Sequence, residues 1–229
     1  MRSLLLIRHG QASFGAADYD QLSAVGAEQS QRLGGWLKHV GQAPDLIAQG
    51  SMRRHVQTAE LCKEAAGMTA PSIELAGLNE LDHEEIIARL RPDLATHGAL
   101  AVELACADDP RRAAQQLYAA AVERWIGGHF DHEYTVTWHS FRHGVLESLQ
   151  QLTAHRARTI WAFTSGGPIA VIVNALMHAP REEAFTLGWP LVNTSITHVA
   201  LGAKRNSLIS YNASPHLDGA GHRHLITQR

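Results

Sequence analysis

Cysteine is nearly missing from this chain: there are two, Cys62 and Cys106, in 229 residues. Two thiols so far apart make neither a disulfide framework nor a C-x-x-C redox or zinc pair. Net charge is almost missing too, with 20 basic against 22 acidic residues for a formal −2. That balance gives no global attraction to nucleic acid or to an anionic membrane, and leaves a local basic pocket as the place for an anion. No apolar run approaches the length of about 18 residues that a membrane span requires. The run Leu4 to Ile7 is too short for a signal-peptide core and is closed by Arg8. A soluble, cytoplasmic protein is expected. Repeats, low-complexity tracts and a long linker are absent as well. What is present is core-forming material: apolar residues are 45% of the chain and charged residues 18%, which excludes a disordered chain and fits one α/β domain.

Short apolar runs alternate with longer amphipathic segments. Strands are expected at residues 4–7, 45–48, 72–75, 159–164, 195–201 and 208–211. Helices are expected after the cap residue Ser23, over 53–66 with Gly67 as its stop, and after the Asp82/Glu85 capping pair up to Pro92. Further helices are expected over 110–126, 138–152 and 168–177. The Gly-rich stretch after Pro215 reads as a loose terminus. Such alternation argues for a largely parallel sheet covered on both faces, with ligands beyond the carboxyl ends of its strands.

Four strand ends carry chemistry. Arg8, His9, Gly10 and Gln11 follow the first, and Ser51 to Ala59, including Arg53 and Arg54, follows the second. Leu78-Asn79-Glu80 follows the third, and Thr164-Ser165-Gly166-Gly167-Pro168 ends the fourth. Arginine offers a rigid fork of donors with permanent charge, suited to phosphate oxygens. The Gly166-Gly167 turn opens a helix whose free N–H groups favour an anion. His9, flanked by guanidiniums, should be held neutral by like-charge repulsion, as a nucleophile requires. Glu80, if protonated, has the chemistry to give a proton to a departing oxygen.

These motifs resemble the histidine phosphatase superfamily, also called the phosphoglycerate mutase-like family. Arg8-His9-Gly10 after a first strand resembles its signature, and Arg54-His55-Val56-Gln57-Thr58-Ala59 resembles its R-A-x-Q-T-A helix. Leu22 to Gln29 resembles its L-[ST]-x-x-G-x-x-Q segment, and Leu78-Asn79-Glu80 the segment bearing its acid. Asn193-Thr194-Ser195-Ile196 and Asn212 to Leu217 resemble its last strand segments. The resemblance implies a three-layer α/β/α sandwich with a mostly parallel central sheet. It implies one domain over 1–229, in which the stretch from about 91 to 156, devoid of diagnostic motifs, supplies a helical cap over the site. It further implies a phosphomonoesterase working through a transient phosphohistidine on His9, with Arg8 and Arg54 as phosphate clamp and Glu80 as proton donor. Gly10, Gln11, Ser13, Ser165 and Gly166 would touch the phosphorylated substrate. No cofactor and no metal is implied, because phosphoryl transfer chiefly needs alignment and charge stabilisation.

Two departures matter. Where the family usually has a second histidine in an x-H-G-G segment, this chain has Ser165. Losing one donor to developing charge costs about 2.7–4 kcal/mol of transition-state stabilisation. Either activity is weak, or another group fills the gap, with His83, His198 and His216 as candidates, or a catalytically impaired phosphoester- or phosphoprotein-binding module remains. Second, Gln11-Ala12-Ser13-Phe14-Gly15 and Glu80-Leu81-Asp82-His83 lack the mutase-type segments, which favours hydrolysis over a phosphoglycerate mutase-type phosphotransferase. Fifteen histidines also raise a metal reading, with His139 and His143 four apart on one helix and Glu147 a turn later. That helix lacks the general base of H-E-x-x-H, so a polar helix face is the preferred reading.

Overall fold

The computed structural model describes residues 2–13, 20–96, 98–219 and 221–228. Phe14 and Gly15 of the loop after the first strand lie outside the described residues. Among the described residues there are six strands in one sheet and seven α-helices. The strands are β1 (Arg2–Arg8), β2 (Leu46–Gln49), β3 (Ser72–Glu74), β4 (Thr159–Thr164), β5 (Ile196–Leu201) and β6 (Ser207–Ala213), in the order β3-β2-β4-β1-β5-β6. Pairs β1/β4, β2/β4 and β2/β3 are parallel, whereas β5 runs antiparallel to both β1 and β6. The sheet is thus parallel over four strands and closes with an antiparallel edge.

The parallel strands β1, β2 and β4 are buried on both faces, so they read as apolar runs rather than alternating ones, whereas β3 lies exposed at the edge of the sheet. Leu5 and Ile7 of β1, Ile47 of β2 and Trp161 and Phe163 of β4 join one buried cluster with Leu33 and Leu37 of α1 (Ala24–His39) and Ala59, Cys62 and Ala66 of α2 (Arg53–Ala66). Residues of opposite parity, Leu4, Leu6, Ile160 and Ala162, are also fully buried, and α7 (Gly166–Met177) packs against β1 and β6. Burial pushes the Cys62 thiol far above its ordinary pKa, leaving it an inert core group.

Helix ends follow the expected chemistry. Ser23 accepts from Gly26 N at 3.0 Å and caps α1, and Asp82 accepts from Glu85 N at 2.9 Å and caps α3 (His83–Leu90). Gly67 closes α2 with φ 63°, a left-handed conformation that suits glycine. Past Pro215, where a loose terminus is expected, the described residues are instead tied down. Gln29, fully buried on α1, needs partners for its amide, and its Nε2 donates to Leu225 O at 2.6 Å and Thr227 Oγ1 at 2.9 Å. Leu217 and Leu225 pack with Val192.

The chain forms two compact units, Met1–Glu80 with Gly144–Arg229, and Leu81–His143. The first holds the sheet with α1, α2 and α7. The second holds α3, α4 (Ala99–Ala105, a helix the sequence pattern did not announce) and α5 (Pro110–Gly127). The helix α6 (Trp138–Ala154) starts in the second unit and ends in the first. Inside the second unit, the Trp125 ring sits 5.5 Å from those of Trp138 and Phe141, and Arg124 donates to Tyr134 Oη and Glu133 Oε2. The stretch from 91 to 156 therefore falls mainly on α4, α5 and α6.

The α1/α2 seam depends on a close backbone approach at Gly34, where an added Cβ would lie 2.1 Å from Cys62 O; next to it, Gly35 has open space. Gly34→Ala is expected to destabilise the fold by about 1–3 kcal/mol through overpacking. Gly35→Ala, at an exposed helical position, is expected to stabilise it by about 0.5–1 kcal/mol. Urea unfolding of the two variants checks the opposite signs.

Candidate active site

Strands β1, β2 and β4 are parallel and in register, with Arg8 beside Thr164 and Gln49 beside Phe163. Their carboxyl ends therefore lie along one edge of the sheet. This edge carries His9 after β1, the start of α2 shortly after β2, and Ser165 after β4. His9 is held from three sides by its backbone: its N–H donates to Thr164 O at 2.9 Å, and its carbonyl accepts from Asn193 Nδ2 at 3.1 Å and Thr194 N at 3.3 Å. Gly10 follows because nothing larger fits, since a Cβ there would lie 2.5 Å from Gly26 O. The reciprocal restriction applies to Gly26, whose Cβ would meet Gln11 O at 2.2 Å.

The His9 ring is buried, 4% exposed. Its Nδ1 lies 2.7 Å from Gly10 O. A carbonyl only accepts, so Nδ1 carries the proton and Nε2 presents its lone pair. Burial lowers the His9 pKa well below the ordinary value, and the charges of Arg54 and Arg8 push it further down.

Arg54 enters from the first turn of α2 and is buried, and its Nη1 bonds Asp20 Oδ1 at 2.6 Å. Asp20 Oδ2 also accepts from Arg53 N at 2.8 Å, so this carboxylate serves an orphan donor at the start of α2, whose cap residue Met52 makes no side-chain bond. The rest of the motif anchors the helix. Thr58 Oγ1 donates to Arg54 O at 2.6 Å and accepts from Gly10 N at 3.0 Å, and Gln57 Oε1 accepts from Leu22 N at 2.8 Å. Arg8 directs Nη1 to the carbonyls of Leu191 and Gln228. It is thus pinned by backbone while its charge still reaches His9.

Glu80 lies at the amino end of α7, where both its carboxylate oxygens are 3.2 Å from Gly167 N. Ser165 occupies the cap position of α7 without capping it. Its Oγ is instead 2.7 Å from Nε2 of His55, and both residues have no solvent exposure. The His55 ring centroid is 5.7 Å from that of His9. Burial first, and Arg54 second, lower the His55 pKa to about 3.

The structure thus draws His9, Arg54, Glu80, Ser165 and the Gly166-Gly167 turn to one strand edge, with Arg8 beside them. Other expectations fare differently. The Gln11 side chain is occupied, its Oε1 accepting from Ser23 Oγ at 2.8 Å, and Ser13 donates its N–H to Gln21 O at 2.8 Å. Two of the three histidines offered as partners for the Ser165 position bond elsewhere. His198 Nε2 bonds Ser3 Oγ at 3.1 Å, at the opposite end of β1. His216 Nε2 bonds Thr194 Oγ1 at 2.9 Å. His83 begins α3 in the second unit. The histidine that does meet Ser165 is His55, signalled in the sequence by an imidazole where the resembled R-A-x-Q-T-A pattern has alanine. Asp20 had no such signal. The His139 and His143 rings stack at 6.5 Å, and among the described residues no three His, Cys, Asp or Glu side chains are grouped to hold a metal. No helix among them is long and apolar enough to cross a membrane.

Comparison with known proteins gives the family and the fold. Residues 4–214 match the model of the histidine phosphatase superfamily (branch 1). No curated protein matches the chain. Similar solved folds include mycobacterial hydrolase 2, at 19% identity and TM-score 0.66, covering 98% of this chain and 96% of that one. Mycobacterial glucosyl-3-phosphoglycerate phosphatase is 21% identical with TM-score 0.62, over 93% of this chain and all of that one (100%). A phosphoserine phosphatase mutant from Entamoeba histolytica, in complex with phosphoserine, is 17% identical with TM-score 0.59, over 95% and 100%.

Three buried histidines, His9, His55 and His216, have lowered pKa values, the last about 4 through burial. Unfolding restores each to about 6.5. Below that pH the unfolded chain binds more protons than the folded one, so stability falls as the solution is acidified. The loss from His216 continues to about pH 4 and that from His55 to about pH 3. Each such group contributes up to about 1.4 kcal/mol per pH unit. Urea unfolding at a series of pH values is expected to show stability dropping below pH ~6.5, with a shallower slope in His216→Gln.

Proposed function

The chain belongs to the histidine phosphatase superfamily, and on that premise we propose that it hydrolyses phosphomonoesters through a transient phosphohistidine on His9. The observation that carries this reading is the buried, neutral imidazole whose Nδ1 proton is fixed on Gly10 O, so that Nε2 offers its lone pair. In the first step Nε2 attacks phosphorus in line with the ester oxygen. The P–O bond breaks, and Glu80 passes a proton to the leaving alkoxide. In the second step water attacks the phosphohistidine, Glu80 takes up the water proton, and the P–N bond breaks to return neutral His9 and inorganic phosphate. Arg54 and Arg8 balance the charge spread over the equatorial oxygens. A phosphorylated small molecule is the substrate class this chemistry suits.

A second reading, a phosphoester-binding module of the same fold, is favoured by one observation: at the Ser165 position the site has a neutral His55–Ser165 pair rather than a cation. Turnover separates the two readings.

Two substitutions test the roles. His9→Ala is expected to abolish phosphate release from p-nitrophenyl phosphate and the acid-labile phosphoenzyme; equal release by wild type and variant would sink the hydrolase reading. Glu80→Gln is expected to slow an alkyl phosphate by about 10²–10⁴-fold. Compared by kcat/KM, which reports phosphoenzyme formation and not the shared hydrolysis step, it should slow p-nitrophenyl phosphate far less, because that leaving group departs without a proton. Equal slowing of both substrates would remove Glu80 from the role of acid.

A further inference from the structure

A serine at a helix cap ordinarily accepts from the N–H two or three residues on. At α7 that N–H, on Gly167, is taken by Glu80, and Ser165 makes no capping bond. Among the described residues its hydroxyl is engaged with His55 Nε2 alone, at 2.7 Å. The place for the His55 ring is built into the fold. Gly50, at the end of β2, leaves the room, since a Cβ there would lie 2.4 Å from His55 Nδ1. Asn79 Oδ1 borders the same space, occupied by its bond from Ser51 N, and His55 Nδ1 has no hydrogen-bond partner among the described residues.

This asymmetry fixes the direction of the His55–Ser165 bond. If Ser165 donated to Nε2, the ring proton would sit on Nδ1 as a buried N–H without an acceptor, a rare and costly arrangement. If the proton sits on Nε2, the ring donates to Ser165 Oγ and Nδ1 keeps only an empty lone pair. The serine hydroxyl proton is then spare. Ser165 follows Thr164, whose carbonyl accepts from His9 N at 2.9 Å, and the His55 ring that holds its hydroxyl is 5.7 Å from the His9 ring, centroid to centroid.

Resting on the phosphohydrolase reading above, we propose that His55 donates through Nε2–H to Ser165 Oγ and thereby aims the Ser165 hydroxyl proton at the phosphoryl group bound at His9. Ser165 is then an uncharged catalytic donor, and His55 its positioning residue. His55 does not turn Ser165 into a nucleophile, because a ring that protonates only near pH 3 is too weak a base to take its proton. One helical turn thus delivers both the clamp Arg54 and the group that orients the donor.

The test combines kinetics with nitrogen-15 spectra of the full chain labelled at histidine. Ser165→Ala is expected to lower kcat for p-nitrophenyl phosphate by about 10²–10³-fold, with KM little changed, and Ser165→Thr to restore most of it. His55→Gln, chosen to keep a polar side chain in the space, is expected to lose a comparable factor. The double variant should lose no more than Ser165→Ala alone, because the two residues act as one unit. The spectra are expected to show His55 neutral with its proton on Nε2. Full kcat in Ser165→Ala, multiplicative losses in the double variant, or a proton on His55 Nδ1 each overturns the proposal. Failure of the hydrolase reading looks different: His9→Ala then matches wild type in turnover. In that event orthovanadate, whose bipyramidal adduct mimics the group in transfer, is titrated into wild type and Ser165→Ala; weaker binding by the variant is expected, and equal affinities overturn the donor role directly.

Discussion

A proton is kept off His9, and the rest of the site depends on that exclusion. Imidazole is a nucleophile only when neutral, yet a pocket for phosphate needs positive charge. The fold reconciles the two by burying the ring almost completely and setting Arg54 and Arg8 around it, so that desolvation and like-charge repulsion act in the same direction. The Gly10 carbonyl then decides which ring nitrogen carries the proton. His55 is treated in the same way, by the same burial and the same Arg54 charge. The site therefore combines permanent guanidinium charge, with Asp20 paired to Arg54, and neutral rings.

Holding such a cluster is the work of ordinary local contacts. The Gly10–Gly26 approach lets α1 close against the loop after β1, while Thr58 bonds that loop to α2. Gln29 reaches across to the last residues of the chain, and Asn193 joins His9 O to Thr227. The carboxyl end of the sheet is thereby fastened to segments from both ends of the sequence. Asp20 completes it by bonding Arg54 and the first turn of α2 together.

Much of this was legible in the sequence for physical reasons. Buried parallel strands declare themselves as short apolar runs, and α2 declares itself by amphipathic spacing ended at Gly67. Ser23 and Asp82 sit where caps must be. His9, Arg54, Glu80 and Ser165 were found because ligands gather at strand ends, and the strands were already placed. What stayed hidden involved partners distant in sequence. The antiparallel setting of β5 is a pairing fact with no local signature. The ordering of the last residues rests on Gln29, 196 positions before Leu225. His55 was visible as an unusual residue within a familiar pattern, but its meeting with Ser165 spans 110 positions and two strand ends. Gln11 and Ser13 are expected as substrate contacts from their place in the loop, where Gln11 Oε1 accepts from Ser23 Oγ and the Ser13 backbone N–H donates to Gln21 O.

The most direct measurement of the central claim is the protonation of His9 itself, followed by nitrogen-15 and proton resonances of labelled histidine from about pH 8 downward through the ordinary midpoint of about 6.5. The account predicts a neutral ring with its proton on Nδ1, unchanged as the pH passes that midpoint. A ring that titrates near 6.5, or that carries its proton on Nε2, would contradict it.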